Sequence, residues 1–217
     1  MSVSRLTHIT QIGVEQMGDL ADSLNNPEIL RLENLDTDLR PPQRALEFTK
    51  RAVDDDSANS YLPLGGSKEY RMIGWRVGWV VGPADIVADV ARVSITNVVC
   101  QTGIAMGAVA TAIGDPNDGI QSCVGEWQHR RDVLLDELRD FVAIPPHGGW
   151  SLLLDVSPLG LDGVTASTRL LELGKIAASP MLHWGSARSR KYVRFVFANE
   201  PVHRLRGVGK CVTQALI

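Results

Sequence analysis

Six consecutive residues, Gly114-Asp115-Pro116-Asn117-Asp118-Gly119, divide this chain into two differently patterned halves. Glycine, proline and Asx residues in one run end a helix and force turns. Ahead of the break the pattern is mostly helical. Leu20 and Leu24 mark an N-terminal helix with an apolar turn at Ile29-Leu30, and Pro41-Pro42 opens a second helix to about Val53, because proline is tolerated in a first helical turn. A third helix starts at Pro83 and runs to about Val93, and a fourth covers Gln101 to Ile113. Between them, Trp75 to Val81 is apolar and β-branched with glycines at positions 74, 78 and 82, which predicts a closely packed strand pair.

Past the break the period changes. A long amphipathic helix from about Ile120 to Val142 is followed by strands at Trp150 to Val156, Ile176 to Ala178 and Tyr192 to Phe197, with helices near Ser167 to Leu173 and from Pro201 onward. Helices alternating with a few strands indicate an α/β or α+β unit.

A net charge of -3 offers no general attraction for phosphate backbones or anionic lipid, so neither nucleic acid nor membrane is an expected partner. The longest apolar stretch, Val98 to Ile113, is interrupted by Gln101 and rich in Gly and Ala, which fits a buried helix rather than a membrane span. The first twenty residues lack the basic start and apolar core of a secretory leader, which makes the cytoplasm the expected location. Cys100, Cys123 and Cys211 and the five histidines show no metal-ligand spacing, so no metal site is expected and the cysteines are read as reduced core thiols.

Chemistry concentrates in the run Ser67-Lys68-Glu69-Tyr70-Arg71-Met72-Ile73-Gly74-Trp75-Arg76-Val77-Gly78. Lys68 follows Gly65-Gly66, yet Ser67 precedes it and Glu69 follows, so the glycine before and hydroxyl after the lysine of a nucleotide-phosphate loop are missing. A lysine that loses its proton easily forms imines with aldehydes, and a planar guanidinium such as Arg76 gives a phosphate a two-point contact. Near the C-terminus, Arg194 lies within the strand Tyr192-Val193-Arg194-Phe195-Val196-Phe197. A buried guanidinium among Val and Phe needs an anion, either a structural carboxylate or a bound one.

These segments resemble, in order, the signatures of the class I/II aminotransferases, the fold type I enzymes that use pyridoxal phosphate. The resemblance implies that Lys68 is the catalytic lysine and holds the cofactor as an aldimine, that Arg76 holds its phosphate, and that Tyr61, in Ser60-Tyr61-Leu62-Pro63-Leu64-Gly65-Gly66, reaches the phosphate of a neighbouring subunit in a homodimer. It likewise implies that Arg194 binds the substrate carboxylate, and that Gly148-Gly149-Trp150 brings Trp150 to the substrate pocket. The reaction implied is amino-group transfer between an amino acid and a 2-oxo acid.

The resemblance falls in two blocks that meet near Gly66 and Ser67. In the family most of the large domain separates the tyrosine segment from the lysine, whereas here Tyr61 and Lys68 are seven residues apart. The missing stretch would carry most of the parallel sheet, the phosphate loop and the aspartate at the ring nitrogen. Asp36, Asp38, Asp54 or Asp85 could replace that aspartate only in a rearranged fold. The expected fold is therefore α/β: a truncated fold type I transferase with an N-terminal segment at 1–66, a remnant of the cofactor-binding large domain at 67–113, and an intact α+β small domain at 114–217. Two alternatives stand beside transamination: a catalytically impaired remnant acting as a dimerisation or interaction module, and another reaction of the same cofactor, racemisation or elimination.

Overall fold

The computed structural model describes residues 13–33, 37–54, 70–98, 102–185 and 187–217. The chain forms two compact units, one of Met1–Asp38 with Gly125–Ile217 and one of Leu39–Val124.

The first unit is built on a four-stranded antiparallel sheet in the order β2-β3-β6-β5, with β2 Val142–Ile144, β3 Ser151–Asp155, β5 Ser179–Pro180 and β6 Tyr192–Val196. Pairing sets Leu152 opposite Phe195 and Leu154 opposite Val193, and all four are essentially sealed from solvent. Burying side chains of this size contributes about 1.5–3 kcal/mol each. Helices α6 (Gly163–Glu172) and α8 (Val208–Leu216) of the same unit bury Leu170, Leu171 and Val212. The approach of α6 to the sheet requires glycine at its first position, since a Cβ on Gly163 would sit 2.5 Å from the carbonyl oxygen of Tyr192. A short parallel pair, β1 (Leu30–Arg31) with β4 (Ile176–Ala177), joins the segment before residue 38 to this unit. Helix α1 (Gly13–Ser23) packs there through Met17 and Ala21 against Ile29, Leu171 and Ala177.

The second unit is helical, with α2 (Gln43–Asp54), α3 (Ala84–Val98) and α4 (Gly103–Ile113). Ala105, Met106, Ala108, Val109 and Ala112 of α4 pack with Ala45, Met72 and Val77, and with Phe48, Tyr70 and Trp75 at the margin. Gly107 lets the Phe48 ring of α2 approach to where a Cβ would sit, 2.4 Å from its nearest atom. Helix α5 (Ile120–Glu137) follows the glycine- and proline-rich break.

Several sequence expectations are corrected. Residues 75–81 form no strand: Ile73–Trp75 make a 3₁₀ turn, and Trp79, Val80 and Val81 are 41, 50 and 88 % exposed. A β-rich composition makes a strand only where a partner strand accepts its backbone bonds, and none among the described residues does. The helix expected to reach Val142 ends at Glu137, and Val142 begins β2 instead. Helix α1 turns Met17 and Ala21 inward, leaving the expected markers Leu20 and Leu24 exposed. The single C-terminal helix is two, α7 (Val202–Leu205) and α8, separated at Gly207, whose φ of +88° suits glycine. Of the three cysteines, Cys123 and Cys211 are free and half-buried, and Cys100 lies outside the described residues.

Candidate substrate carboxylate site

Strand β6 occupies an interior position in its sheet, so both of its edges are paired, and Arg194 on it is only 5 % exposed. Alternation along the strand puts Val193 and Phe195 on one face and Arg194 on the other. Opposite Arg194 stand Leu153 of β3 and Ser179 of β5. The guanidinium forms no ion pair with a carboxylate among the described residues. Its Nη2 makes one long hydrogen bond, 3.4 Å, to the carbonyl oxygen of Glu33, and its Nε has no hydrogen-bond partner. Above it lies the indole of Trp184, with the guanidinium carbon 4.8 Å from the ring centroid. Burial pushes the arginine pKa down from its ordinary value. A guanidinium cannot be neutralised at physiological pH, so the site holds a largely desolvated positive charge with no paired carboxylate among the described residues.

The surroundings hold that charge in place. Ser179 Oγ donates to the same Glu33 carbonyl at 3.3 Å. The Glu33 carboxylate turns the other way, to Arg31, whose Nε donates to Oε1 at 2.7 Å and whose backbone N–H is taken by Glu200 at 2.9 Å. This division leaves the Glu33 carboxylate paired with Arg31, while its carbonyl is the group that meets Arg194.

On the opposite face of the sheet, Trp150 packs edge-to-face on Trp127 of α5, with ring centroids 5.6 Å apart, while its carbonyl accepts from Phe197 N–H at 2.9 Å. The sheet therefore brings Trp150 to the helix rather than beside Arg194. Arg130 of α5, 2 % exposed, closes the adjoining chain: it grips Asp38 through Nη1 at 2.8 Å and Nη2 at 3.2 Å, Glu126 through Nε at 2.7 Å, and the Ala198 carbonyl through Nη1 at 2.8 Å. Burial opposes its charge, and the hydrogen bonds to Asp38 and Glu126 outweigh that and raise its pKa.

Of the other expected site residues, Lys68 and Tyr61 lie outside the described residues. Arg76 belongs to the Leu39–Val124 unit, where it is exposed with φ +53°. Its neighbour Arg71 is the buried cation of that stretch, donating from Nε to the Arg40 carbonyl at 3.2 Å and from Nη2 to the Asp118 carbonyl at 2.5 Å. A holder for pyridoxal phosphate needs desolvated phosphate contacts and an acid for the ring nitrogen. The buried acid of this unit, Asp115, faces Arg44 at 3.6 Å and accepts from Asn117 N–H at 3.0 Å, while Asp85 is exposed and Asp38 serves Arg130. The described residues thus do not fit the cofactor as a set. Ser179, Trp184 and the Glu33 carbonyl carry no signature in the sequence. Gly185, with φ +126°, marks the turn that folds Trp184 back, and a glycine after an aromatic was the one available hint.

The structure thus gives an α/β chain with a buried arginine on an interior strand and no carboxylate paired with it among the described residues. Comparison with known proteins narrows this: residues 36–206 match the family model for aminotransferase class I and II, and the chain belongs to that family. The match runs across both blocks that meet near Gly66. The chain is 28 % identical over 155 residues to arginine–pyruvate transaminase AruH of Pseudomonas aeruginosa, covering 69 % of this chain and 39 % of that protein. It is 32 % identical over 115 residues to the aspartate/prephenate aminotransferase of Thermus thermophilus, covering 51 % and 30 %. A Thermus thermophilus aspartate aminotransferase structure, a mutant complexed with tryptophan, superposes with a TM-score of 0.63 at 25 % identity, covering 86 % of this chain and 56 % of that one. The fold is thus a truncated fold type I aminotransferase, and the chain spans well under half the length of the curated relatives it matches.

Proposed function

We propose that this chain binds amino acids and 2-oxo acids through their carboxylate at Arg194. The observation that carries this reading is the buried guanidinium without a carboxylate partner among the described residues. A structural ion pair, the other explanation for a charged residue in such a strand, is not formed among the described residues, where the neighbouring Glu33 carboxylate pairs with Arg31. A ligand carboxylate offers the planar two-point acceptor that Nε and its neighbour lack. Trp150 contributes from behind, by fixing the strand three residues beyond Arg194. Calorimetric titration with pyruvate and with its uncharged counterpart pyruvamide tests the reading. Binding of the acid alone is expected; equal binding of both, or of neither, overturns it.

Amino-group transfer extends this proposal on the ground of descent. Lys68 is the amine that would engage pyridoxal phosphate, Arg76 its phosphate partner, and Tyr61 a contribution from a second copy in a cytoplasmic homodimer. The division into a 1–66 segment, a 67–113 cofactor-domain remnant and a 114–217 small domain belongs to the same proposal. Borohydride reduction in the presence of the cofactor, followed by peptide mass analysis, is expected to label Lys68; an unlabelled Lys68 removes the transfer reaction and leaves carboxylate binding standing.

One observation favours a second reading, a dimerisation or interaction module. Val80 and Val81 with Ile86, Val90 and Val93 of α3 leave a run of exposed apolar side chains on the Leu39–Val124 unit, and such runs mark surfaces that meet a partner.

A further inference from the structure

The turn after β5 returns over the carboxylate site. Met181 N–H donates to the Tyr192 carbonyl at 3.0 Å and Trp184 N–H to the Met181 carbonyl at 3.1 Å, so both ends of the turn are tied, one of them to β6 itself. Within it His183 adopts φ +73°, in the left-handed region that side chains other than glycine seldom occupy, and Gly185 adopts φ +126°. These dihedrals reverse the chain and lay the Trp184 indole on the Arg194 guanidinium, although 44 % of that tryptophan remains exposed. A large aromatic left 44 % exposed at the end of a backbone-strained turn is incompletely buried, and the cation beneath it is a specific contact of its ring face.

We propose that Trp184 is a positioning residue for Arg194: its ring face holds the guanidinium plane and leaves the Nε edge presented to a ligand carboxylate. The inference rests on the carboxylate-binding reading above and assigns the orientation of that site to a residue outside the strand. Two restraints fix a planar fork. The Glu33 carbonyl takes Nη2 from the edge, through a bond of 3.4 Å that is too long to hold the plane alone, and the indole takes the face. The ring also shields the charge on one side without neutralising it, because a π face attracts a cation yet offers no hydrogen-bond acceptor to compete with the ligand.

The test compares Trp184→Leu with Trp184→Phe by calorimetric titration with pyruvate. Loss of the π face is expected to weaken binding about tenfold in Trp184→Leu, while Trp184→Phe, which keeps a π face, stays within about threefold of the natural chain. Tryptophan emission gives a second readout: pyruvate changes it in the natural chain, and the change disappears in Trp184→Phe although binding persists. Equal affinities in the natural chain and Trp184→Leu overturn the role of Trp184 and leave Arg194 as the carboxylate site. Equal weakening in both variants also overturns it, because packing volume rather than the π face would then be responsible. Failure of the natural chain to bind pyruvate overturns both assignments together.

Discussion

Ser179 and Arg194 face each other across β5 and β6, and both donate to one acceptor, the carbonyl oxygen of Glu33. The serine hydroxyl is fully buried and has this carbonyl as its acceptor, so the carbonyl is held by two donors from adjacent strands. That arrangement places a backbone oxygen, not a carboxylate, beside the guanidinium.

Ser179→Ala removes one neutral hydrogen bond without opening a large cavity. A destabilisation of about 1 kcal/mol is expected in urea unfolding. The Glu33 carbonyl is then less restrained, so pyruvate binding should also weaken, by a smaller factor than in Trp184→Leu.

Arg130 is a different kind of buried arginine, with every arm satisfied. Arg130→Ala should cost about 3 kcal/mol in equilibrium unfolding, near the low end for a broken buried pair, because Asp38 and Glu126 are each partly exposed and regain water. A loss below about 1 kcal/mol would show that the clamp does not hold residue 38 to Ala198.

Helix α6 is capped by Asp162, whose carboxylate accepts from Thr165 N–H at 2.8 Å; that backbone bond holds its pKa below the ordinary carboxylate value. The folded-state pKa is depressed, so the stabilisation is complete above the unfolded-state value and fades as pH falls through the folded one. Asp162→Ala is expected to cost about 1 kcal/mol at neutral pH. Chemical denaturation at a series of pH values checks the sign: the gap between the two proteins should narrow below about pH 4.

Ile86 and Val93 lie on α3 and are 53 and 60 % exposed. If this surface meets a second copy, Ile86→Lys with Val93→Lys should abolish concentration-dependent association in sedimentation. Folding stability of the dilute protein should change by no more than about 0.5 kcal/mol, as for surface substitutions generally.

The C-terminal half of the fold was legible because its signals are local. The break at Gly114–Gly119, the alternation around Leu152 and Leu154, and the hydrophobic run around Arg194 each specify an element without distant help. Residues 75–81 misled for the opposite reason. Their β-branched composition describes a strand, but a strand exists only in its pairing, and the partner strands that the resemblance places between Tyr61 and Lys68 are absent from the sequence. The site divides in the same way. Arg194 was readable as a charge in an apolar strand, whereas Trp184, Ser179 and the Glu33 carbonyl reach it by a turn and a strand pairing that no spacing encodes.

The central claim is that Arg194 is kept charged and unneutralised for a ligand carboxylate, and such a residue should cost stability while providing binding. Replacing a buried, unpaired charge by an apolar side chain of similar length is expected to stabilise the fold by about 1–4 kcal/mol. The unfolding midpoint of the natural chain and of Arg194→Met, each measured with and without pyruvate, tests both halves at once. Arg194→Met is expected to unfold later than the natural chain without ligand and not to respond to pyruvate, while pyruvate at a hundredfold excess over its dissociation constant stabilises the natural chain by about 2.7 kcal/mol. An Arg194→Met chain that is less stable than the natural one and still shifts with pyruvate would contradict the claim.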